Sequence, residues 1–314
     1  MIKIFKTFSD GMRLIDAPEK DCWISLIAPT EEELNSVARW HPEIDADDLR
    51  AALDEEERSR IEAEDDYTLI LVDVPAVEQH DGKDRYVTVP LGILLLKDTI
   101  ITVCLEETAV LSAMKQKKSR EFRTHMKTRF VLQILYRNAT LFLMGLRVID
   151  RQSGEVEKKL HRSTQNRELI ELLELEKSLV YFTTSLRGNE VVLEKMLKIE
   201  SVKKYPEDED LLEDDIVENK QAIEMANIYS GILSGMMDAF ASVISNNLNI
   251  VMKFLAIVTI VLSVPTMIFS AYGMNVNEIG MPFAKDGYGF VLIIGIAILL
   301  SVIVAIYFSK KKMY

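Results

Sequence analysis

The sequence has little of what most enzymes and secreted proteins depend on. There are two cysteines, Cys22 and Cys104, among 314 residues. The four histidines are scattered along the chain, at His41, His80, His125 and His161. Isolated cysteines without neighbouring histidines predict neither a disulfide framework nor a zinc site. No stretch matches the phosphate-binding loop of ATPases, and no nucleophile and base are arranged for catalysis, so we predict no enzyme and no resident cofactor.

Acidic residues outnumber basic ones, with 49 Asp and Glu against 37 Lys and Arg. The formal net charge is -12 at pH 7, and the acidic residues concentrate in residues 43–66 and 207–218. Nucleic-acid binding needs clustered Lys and Arg, so we expect no nucleic-acid partner and take the acidic clusters to indicate cations. Residues 1–10 lack the apolar segment of a signal peptide. Membrane insertion is therefore expected to depend on the C-terminal part.

Two long runs near the C-terminus contain no charged residue. Residues 254–271 are interrupted once, by Pro265, and their polar members are Thr259, Ser263, Thr266 and Ser270. Residues 288–308 form the second run. Each is long enough to cross a hydrocarbon layer of about 30 Å as a helix. The sequence therefore predicts a two-helix hairpin in a lipid bilayer.

The distribution of basic residues predicts the orientation of this hairpin. Lys310, Lys311 and Lys312 follow the second run, whereas the connection at 273–287 offers only Lys285 against two acids. Basic residues concentrate on the cytoplasmic side of membrane proteins. We therefore expect a plasma-membrane protein with both termini in the cytoplasm and a basic tail at 310–314.

Strand and helix patterns are mixed over the first 105 residues. Residues 2–8 alternate between apolar and polar, and Thr30 with Glu33 forms a capping box that predicts a helix to about Trp40. Apolar stretches at 67–77, 86–89, 91–96 and 99–104 predict strands, and the short gaps between the last of them favour antiparallel pairing. We predict an α+β protein with a mixed α/β cytosolic domain over 1–118.

Helical periodicity dominates after this domain. Residues 119–205 predict long antiparallel helices joined at Arg187-Gly188-Asn189, which would project away from the sheet. Residues 206–272 predict one helix of about 90 Å, which serves as a stalk and continues into the first membrane helix from about 251. The second membrane helix is expected at 288–309.

The residues that end the first membrane run carry a resemblance. Tyr272-Gly273-Met274-Asn275 lies between an apolar run and a short loop that leads to a second run. This organisation resembles that of the CorA family of divalent-metal channels. The resemblance covers essentially the whole chain. The family often continues with Met-Pro-Glu-Leu, whereas this chain has Met281-Pro282-Phe283-Ala284. The carboxylate of that motif is absent, although Glu278 and Asp286 are nearby.

The resemblance implies a homopentamer whose pore is lined by the first membrane helix, with Gly273, Met274 and Asn275 as the selectivity filter. Mg²⁺ holds its water molecules tightly and is costly to dehydrate. A ring of amide oxygens accepts hydrogen bonds from those waters and binds weakly enough to release the ion. The alternative is that Asn275 only caps the helix.

Helical spacing back from Asn275 predicts a pore stripe. Its members are Thr266, Ser263, Thr259, Leu255, Met252, Asn249 and Asp238. The hydroxyls could instead bond to their own backbone or join neighbouring helices. Met252 and Leu255 form an apolar constriction if they face the pore, and otherwise pack against other helices.

The resemblance also implies that cytosolic Mg²⁺ inhibits its own entry. The candidate ligands are carboxylates at the start of the stalk and in the sheet domain, namely Asp214, Asp215, Asp210, Asp65 and Asp66. Like charges that a symmetric oligomer brings together repel, and a divalent cation between subunits relieves the repulsion. The alternative is an ordinary solvated helix start.

The sequence thus favours a homo-oligomeric channel for Mg²⁺ influx down the electrochemical gradient. One alternative is the same architecture for cobalt, nickel or zinc, in import or export. Another is a membrane-anchored helical scaffold, which needs neither an asparagine at the turn nor a polar stripe.

Overall fold

The computed structural model describes residues 1–80, 82–115, 122–160, 166–199, 205–275, 281–283 and 287–310. The chain forms two compact units, Met1–Met237 and Asp238–Tyr314. The predicted boundary between residues 118 and 119 lies within 116–121, outside the described residues. The tail residues 311–314 also lie outside them.

The first unit is built on strands β1 (Ile2–Phe8), β2 (Gly11–Ile15), β3 (Cys22–Ile27), β4 (Arg60–Ala63), β5 (Tyr67–His80), β6 (Lys83–Leu96) and β7 (Thr99–Cys104). They form one sheet in the order β2-β1-β3-β7-β6-β5-β4. Strands β3 and β7 are parallel, and the other neighbours are antiparallel. The predicted mixed sheet, with antiparallel late strands, is confirmed.

The helices of the described residues are α1 (Glu31–Trp40), α2 (Ala46–Ala51), α3 (Ala109–Met114), α4 (Lys127–Leu160), α5 (Asn166–Met196), α6 (Pro206–Tyr272) and α7 (Gly289–Lys310). The predicted capping box of α1 is present, because Thr30 and Glu33 each accept a hydrogen bond from the other's backbone N–H. Long helices after a mixed sheet confirm the α+β class.

Apolar side chains cover both faces of the sheet, because successive strand residues point to opposite sides. On one face Ile24 lies in a buried cluster with Val37 of α1 and Leu49 of α2. On the other face Trp23 lies in a second cluster with Phe130 of α4. Helix α5 also contacts β5 and β6. The prediction that the long helices project away from the sheet is therefore wrong: they bury its second apolar face.

The predicted helix break at Arg187-Gly188-Asn189 is also wrong, because these residues lie inside α5. Gly188 faces Ser59 so closely that a Cβ at this position would come within 3.0 Å of the Ser59 hydroxyl oxygen. The side-chain oxygen of Asn189 accepts a hydrogen bond from that hydroxyl at 3.1 Å. The small and polar residues that suggested a turn thus permit a close approach to the chain before β4.

Strand β6 runs through Pro90, where the sequence predicted two separate strands. Proline cannot donate to its cross-strand partner, Asp73. The amide side chains of Asn138 in α4 and Asn189 in α5 each donate to the carbonyl oxygen of Asp73, at 2.8 Å. The backbone N–H of Asp73 donates to Asn189 at 2.9 Å. Two helix side chains therefore satisfy both backbone groups of Asp73, two residues beyond the last residue of β5 that pairs with β4.

Helix α6 is continuous over Pro206–Tyr272, which confirms the predicted long helix. Within the first unit its buried positions recur at intervals of three or four residues, at Leu212, Asp215, Asn219, Ala222 and Ala226. The amide of Asn219 donates to the carbonyl oxygen of Leu186 at 2.9 Å. Burial of one helical face and this hydrogen bond attach the start of α6 to α5.

Replacing Asn189 with alanine removes the hydrogen bonds that this side chain makes to the backbone of Asp73. We expect the free energy of unfolding to fall by about 1–3 kcal/mol, because buried polar groups lose their partner. Denaturant unfolding of the purified protein, followed by Trp fluorescence, measures the loss. The control Asn35→Ala, at an exposed position of α1, should change it by less than about 0.5 kcal/mol. Equal losses in both variants would contradict the role of Asn189.

Candidate functional site

Two helices of the second unit are long and apolar enough to cross a membrane. They are the C-terminal part of α6 and the whole of α7. Within the most apolar window of each helix, most side chains are exposed in the single chain, for example Leu255 at 63% and Leu299 at 60%. Apolar faces of this extent need lipid or further protein to cover them.

The motif residues lie where α6 ends. The backbone N–H of Gly273 donates to the carbonyl oxygen of Phe269 at 2.9 Å and continues the helical pattern. Met274 and Asn275 follow and are exposed. The structure thus places Gly273, Met274 and Asn275 together at the helix terminus, with the Asn275 amide accessible. The predicted connecting residues 276–280 and 284–286 lie outside the described residues.

The hydroxyl groups of the predicted stripe donate to their own helix backbone. The distances are 2.9 Å from Thr259 to Leu255, 2.8 Å from Ser263 to Ile260 and 3.0 Å from Thr266 to Leu262. A hydroxyl that donates its proton to a carbonyl still has lone pairs that accept hydrogen bonds. Water molecules on a cation direct their hydrogens outward and need such acceptors. Hydrogen bonds from these hydroxyls to their own helix backbone were the alternative to a pore-lining role. The structure shows these bonds, and they are compatible with that role.

The other four stripe residues are exposed. They are Asp238, Asn249, Met252 and Leu255. At about 100° per residue, all seven stripe positions fall within one face about 120° wide. Their orientation toward a pore stays a prediction, because a pore needs further copies of the chain.

The acidic start of α6 is divided between exposed and buried carboxylates. Asp210 and Asp214 are exposed, whereas Asp208 is buried at 3% exposure. Asp208 accepts a hydrogen bond from Nε of Arg129 at 2.7 Å, and Nη2 of Arg129 donates to Glu207 at 3.2 Å. The hydrogen bond to Asp208 raises the pKa of Arg129. This ion pair joins the start of α6 to the start of α4.

Asp215 has a different environment from its neighbour Asp214. It is 0% exposed, and neither carboxylate oxygen has a hydrogen-bond partner within the described residues. Burial raises the pKa of Asp215 to about 9, with a smaller contribution from the charge of Asp214. A buried carboxyl group that keeps its proton at neutral pH is a poor ligand for a cytosolic cation. The structure therefore favours Asp214 over Asp215 as a candidate ligand.

Asp65 and Asp66 lie in the exposed turn between β4 and β5. Among the described residues, no group of three or more His, Cys, Asp or Glu side chains could hold a metal ion. One chain thus does not assemble the five predicted carboxylates into a site. The regulatory site stays a prediction that requires a second subunit.

A match to a protein-family model shows to which family the chain belongs. The model is described as CorA-like Mg²⁺ transporter protein, and it matches residues 19–312. The chain belongs to this family. The matched range includes α6, the motif and α7, so it covers the candidate pathway as well as the cytosolic unit from β3 onward. The CorA-like family is one of transporters rather than of enzymes.

Two curated proteins are similar to the chain. The cobalt/magnesium transport protein CorA of Methanocaldococcus jannaschii is 28% identical over 296 residues, which cover 92% of this chain and 90% of that protein. The cobalt/magnesium transport protein CorA of Thermotoga maritima is 33% identical over 92 residues, 29% of this chain and 26% of that protein. The first match extends over nearly all of both chains.

Solved structures share the fold. The complete structure of the CorA magnesium transporter from M. jannaschii has a TM-score of 0.82 at 24% identity and covers 99% of this chain and 98% of its own. The full-length CmaX protein has a TM-score of 0.71 at 14% identity, covering 99% and 96% of the two chains. Together with the family match, they establish a membrane protein with two spans and a cytoplasmic N-terminal domain.

Two features of the site were not predicted from the sequence. One is the burial of Asp215, since a dense acidic segment suggested a solvated face. Its spacing of three residues after Leu212 and four before Asn219 is the signal that could have placed it on the buried face. The other is a hydrogen bond from the Tyr272 hydroxyl to the carbonyl oxygen of Pro282, for which the sequence offers no signal.

The raised pKa of Asp215 predicts a pH dependence of stability. The unfolded chain loses this proton near pH 4 and the folded chain near pH 9. Between these values the folded chain binds one proton more than the unfolded chain, so the free energy of unfolding falls as the pH rises. Asp215→Asn carries no such proton. We expect the variant to be more stable than the wild type at pH 8 and to approach it near pH 4. Thermal unfolding of both proteins from pH 4 to 9, with EDTA present, measures the difference.

The variant Asp215→Leu provides the control for hydrogen bonding by the asparagine amide. It should show the same shallower decline of stability with pH, because it also lacks the titrating group. Identical slopes in the wild type and both variants would contradict the buried, protonated state of Asp215.

Proposed function

We propose that the protein is a homo-oligomeric channel, a pentamer by family resemblance, that carries hydrated Mg²⁺ into the cytoplasm down its electrochemical gradient. The coarser statement, a divalent-cation transporter of the CorA-like family, follows from the family match. The name of the M. jannaschii relative supports magnesium and cobalt as the transported ions. Nickel or zinc, and export, are the alternatives for the same architecture.

One observation carries the proposal of a pore along α6. A single face of a membrane-length helix presents hydroxyl and amide groups to the outside of the chain and leads to an exposed Asn275 at its end. Two helices alone enclose no water-filled path, so this face needs other copies around an axis. Neutral oxygens suit a hydrated divalent ion, because they bind its waters without stripping them from the ion. A membrane-anchored scaffold needs none of these groups.

Asn275→Leu tests the role of the amide. Leucine has a similar size but no acceptor for the waters of the ion, so we expect Mg²⁺ flux into liposomes of purified protein to fall by about ten-fold or more. Light scattering should show the same oligomer as for the wild type. The matched control is Asn247→Leu, on the opposite face of α6 by helical spacing, which should retain flux. A leucine variant at 275 that transports normally would remove the pore assignment.

The cytosolic carboxylates support a proposal for regulation. We propose that Asp214 takes part in a cation site between subunits that favours the closed state, because it is exposed at the start of α6 and lies one turn after the exposed Asp210. Asp65 and Asp66 are candidate partners from a neighbouring subunit. A ligand shifts a conformational equilibrium only if it prefers one state, so this site gives inhibition by cytosolic Mg²⁺.

Asp214→Asn should leave conduction intact and raise the cytosolic Mg²⁺ concentration for half-inhibition by about ten-fold, the effect of losing roughly 1.4 kcal/mol of binding free energy. Inside-out patch recordings with varied Mg²⁺ on the cytosolic side measure both quantities. Asp215→Asn is the matched control, since its carboxyl group is buried. An unchanged inhibition curve for Asp214→Asn would exclude this residue as the sensor and leave the pore assignment untouched.

A further inference from the structure

The segment Met281-Pro282-Phe283 is held from two sides by the membrane helices of its own unit. The hydroxyl of Tyr272, in the last turn of α6, donates to the carbonyl oxygen of Pro282 at 2.8 Å. On the other side, Gly289 at the start of α7 lies against the backbone of Phe283. The segment therefore has one anchor on each helix.

The contact at Gly289 leaves no space for a side chain. A Cβ built at this position would overlap the carbonyl oxygen of Phe283. Phe283 itself has a φ of 62°, a backbone conformation that bulky residues rarely adopt. Gly289 is buried, although most of the surrounding helix is exposed. Only glycine at 289 permits this backbone approach.

These two anchors restrict the position of Asn275. The hydrogen bond from Tyr272 to Pro282 closes the chain between them into a short loop, and Asn275 is the third residue of that loop after Tyr272. A closed loop has far fewer conformations than an open one. We propose that Tyr272 and Gly289 are positioning residues that hold the Asn275 amide in its ion-binding orientation. This inference rests on the proposed role of Asn275.

The consequence for transport follows from the population of the anchored loop. If only a fraction of the molecules holds Asn275 in the competent orientation, the apparent affinity for the ion falls by that fraction. Loss of an anchor therefore raises the Mg²⁺ concentration for half-maximal flux. A general loss of folded protein would instead lower the maximal flux without moving the half-saturating concentration.

Tyr272→Phe removes only the hydroxyl. We expect the half-saturating Mg²⁺ concentration in liposome flux to rise about two- to ten-fold, the effect of one ordinary hydrogen bond, while maximal flux changes less than about two-fold. Hydrogen exchange of peptides that cover residues 281–289 should be faster in the same variant. The matched control is Tyr288→Phe, because Tyr288 is 84% exposed, and it should change neither quantity.

Gly289→Ala tests the second anchor. The added methyl group must displace Phe283, so we expect a similar rise in the half-saturating concentration and faster exchange of the segment. Gly295→Ala, in the same helix, is the matched control, because a Cβ there meets nothing within 4 Å. The double variant Tyr272→Phe/Gly289→Ala should lose less than the product of the single effects, since both changes release the same segment.

The two measurements separate the possible outcomes. Faster exchange together with a raised half-saturating concentration, absent from both controls, supports the proposal. Faster exchange with unchanged half-saturation overturns the positioning role, and unchanged exchange overturns the anchors themselves. Wild-type protein without any metal flux would overturn the proposed function and with it the role of Asn275, whereas the exchange data would still show whether the anchors exist.

Discussion

The bilayer supplies no hydrogen-bond partners, and this constraint determines the second unit of the protein. The backbone groups of α6 and α7 bond within each helix, as hydrocarbon requires, except that Pro265 has no N–H to donate to the carbonyl oxygen of Val261. The hydroxyls of Thr259, Ser263 and Thr266 obey the same rule by bonding to their own helix. Because two such helices are self-sufficient, they create no path for an ion by themselves. The proposed transport path therefore requires that the polar face of α6 meet other copies of the chain.

The cytosolic unit must also satisfy its buried polar groups, and it does so in two different ways. Where β5 extends beyond its pairing with β4, Asn138 and Asn189 of the covering helices supply hydrogen-bond partners to the backbone of Asp73. Where Asp215 is buried without a partner, the carboxyl group retains its proton instead. The first solution is independent of pH, whereas the second makes stability depend on it. Both allow α4, α5 and the start of α6 to pack closely on one another or on the sheet.

Local patterns in the sequence predicted the features that local physics determines. The capping box of α1, the antiparallel late strands, the continuous α6 and the two membrane helices were all correctly predicted. The predicted break at Arg187-Gly188-Asn189 was wrong because these residues serve contacts with Ser59 and Asp73. Both partners are more than one hundred residues away in the chain. The burial of Asp215 was missed for a similar reason: neighbouring acids indicated solvent, whereas packing against other helices determines burial. The roles of Asn275 and of the stripe stay predictions, since the neighbouring subunits that would test them are not part of one chain.

The charges along α6 provide a further argument for the direction in which its polar stripe faces. Between Asp238 and Asn275 the sequence has a single charged residue, Lys253. At about 100° per residue, Lys253 lies about 100° from Met252 but only about 40° from Asn249, one turn before it, so it stands at one edge of the face that contains the stripe. A lysine within the stripe would give a symmetric oligomer a ring of positive charges in a cation path, which costs free energy for every passing ion. With the stripe toward the axis, Lys253 instead points sideways near the cytoplasmic end of the membrane segment, where its ammonium group can reach lipid head groups. The position of Lys253 thus agrees with a cation pore whose axis faces the side of the stripe formed by Leu255, Thr259 and Thr266, about 120° or more from the lysine. It disagrees with a pore axis toward Asn249, which is only about 40° from Lys253.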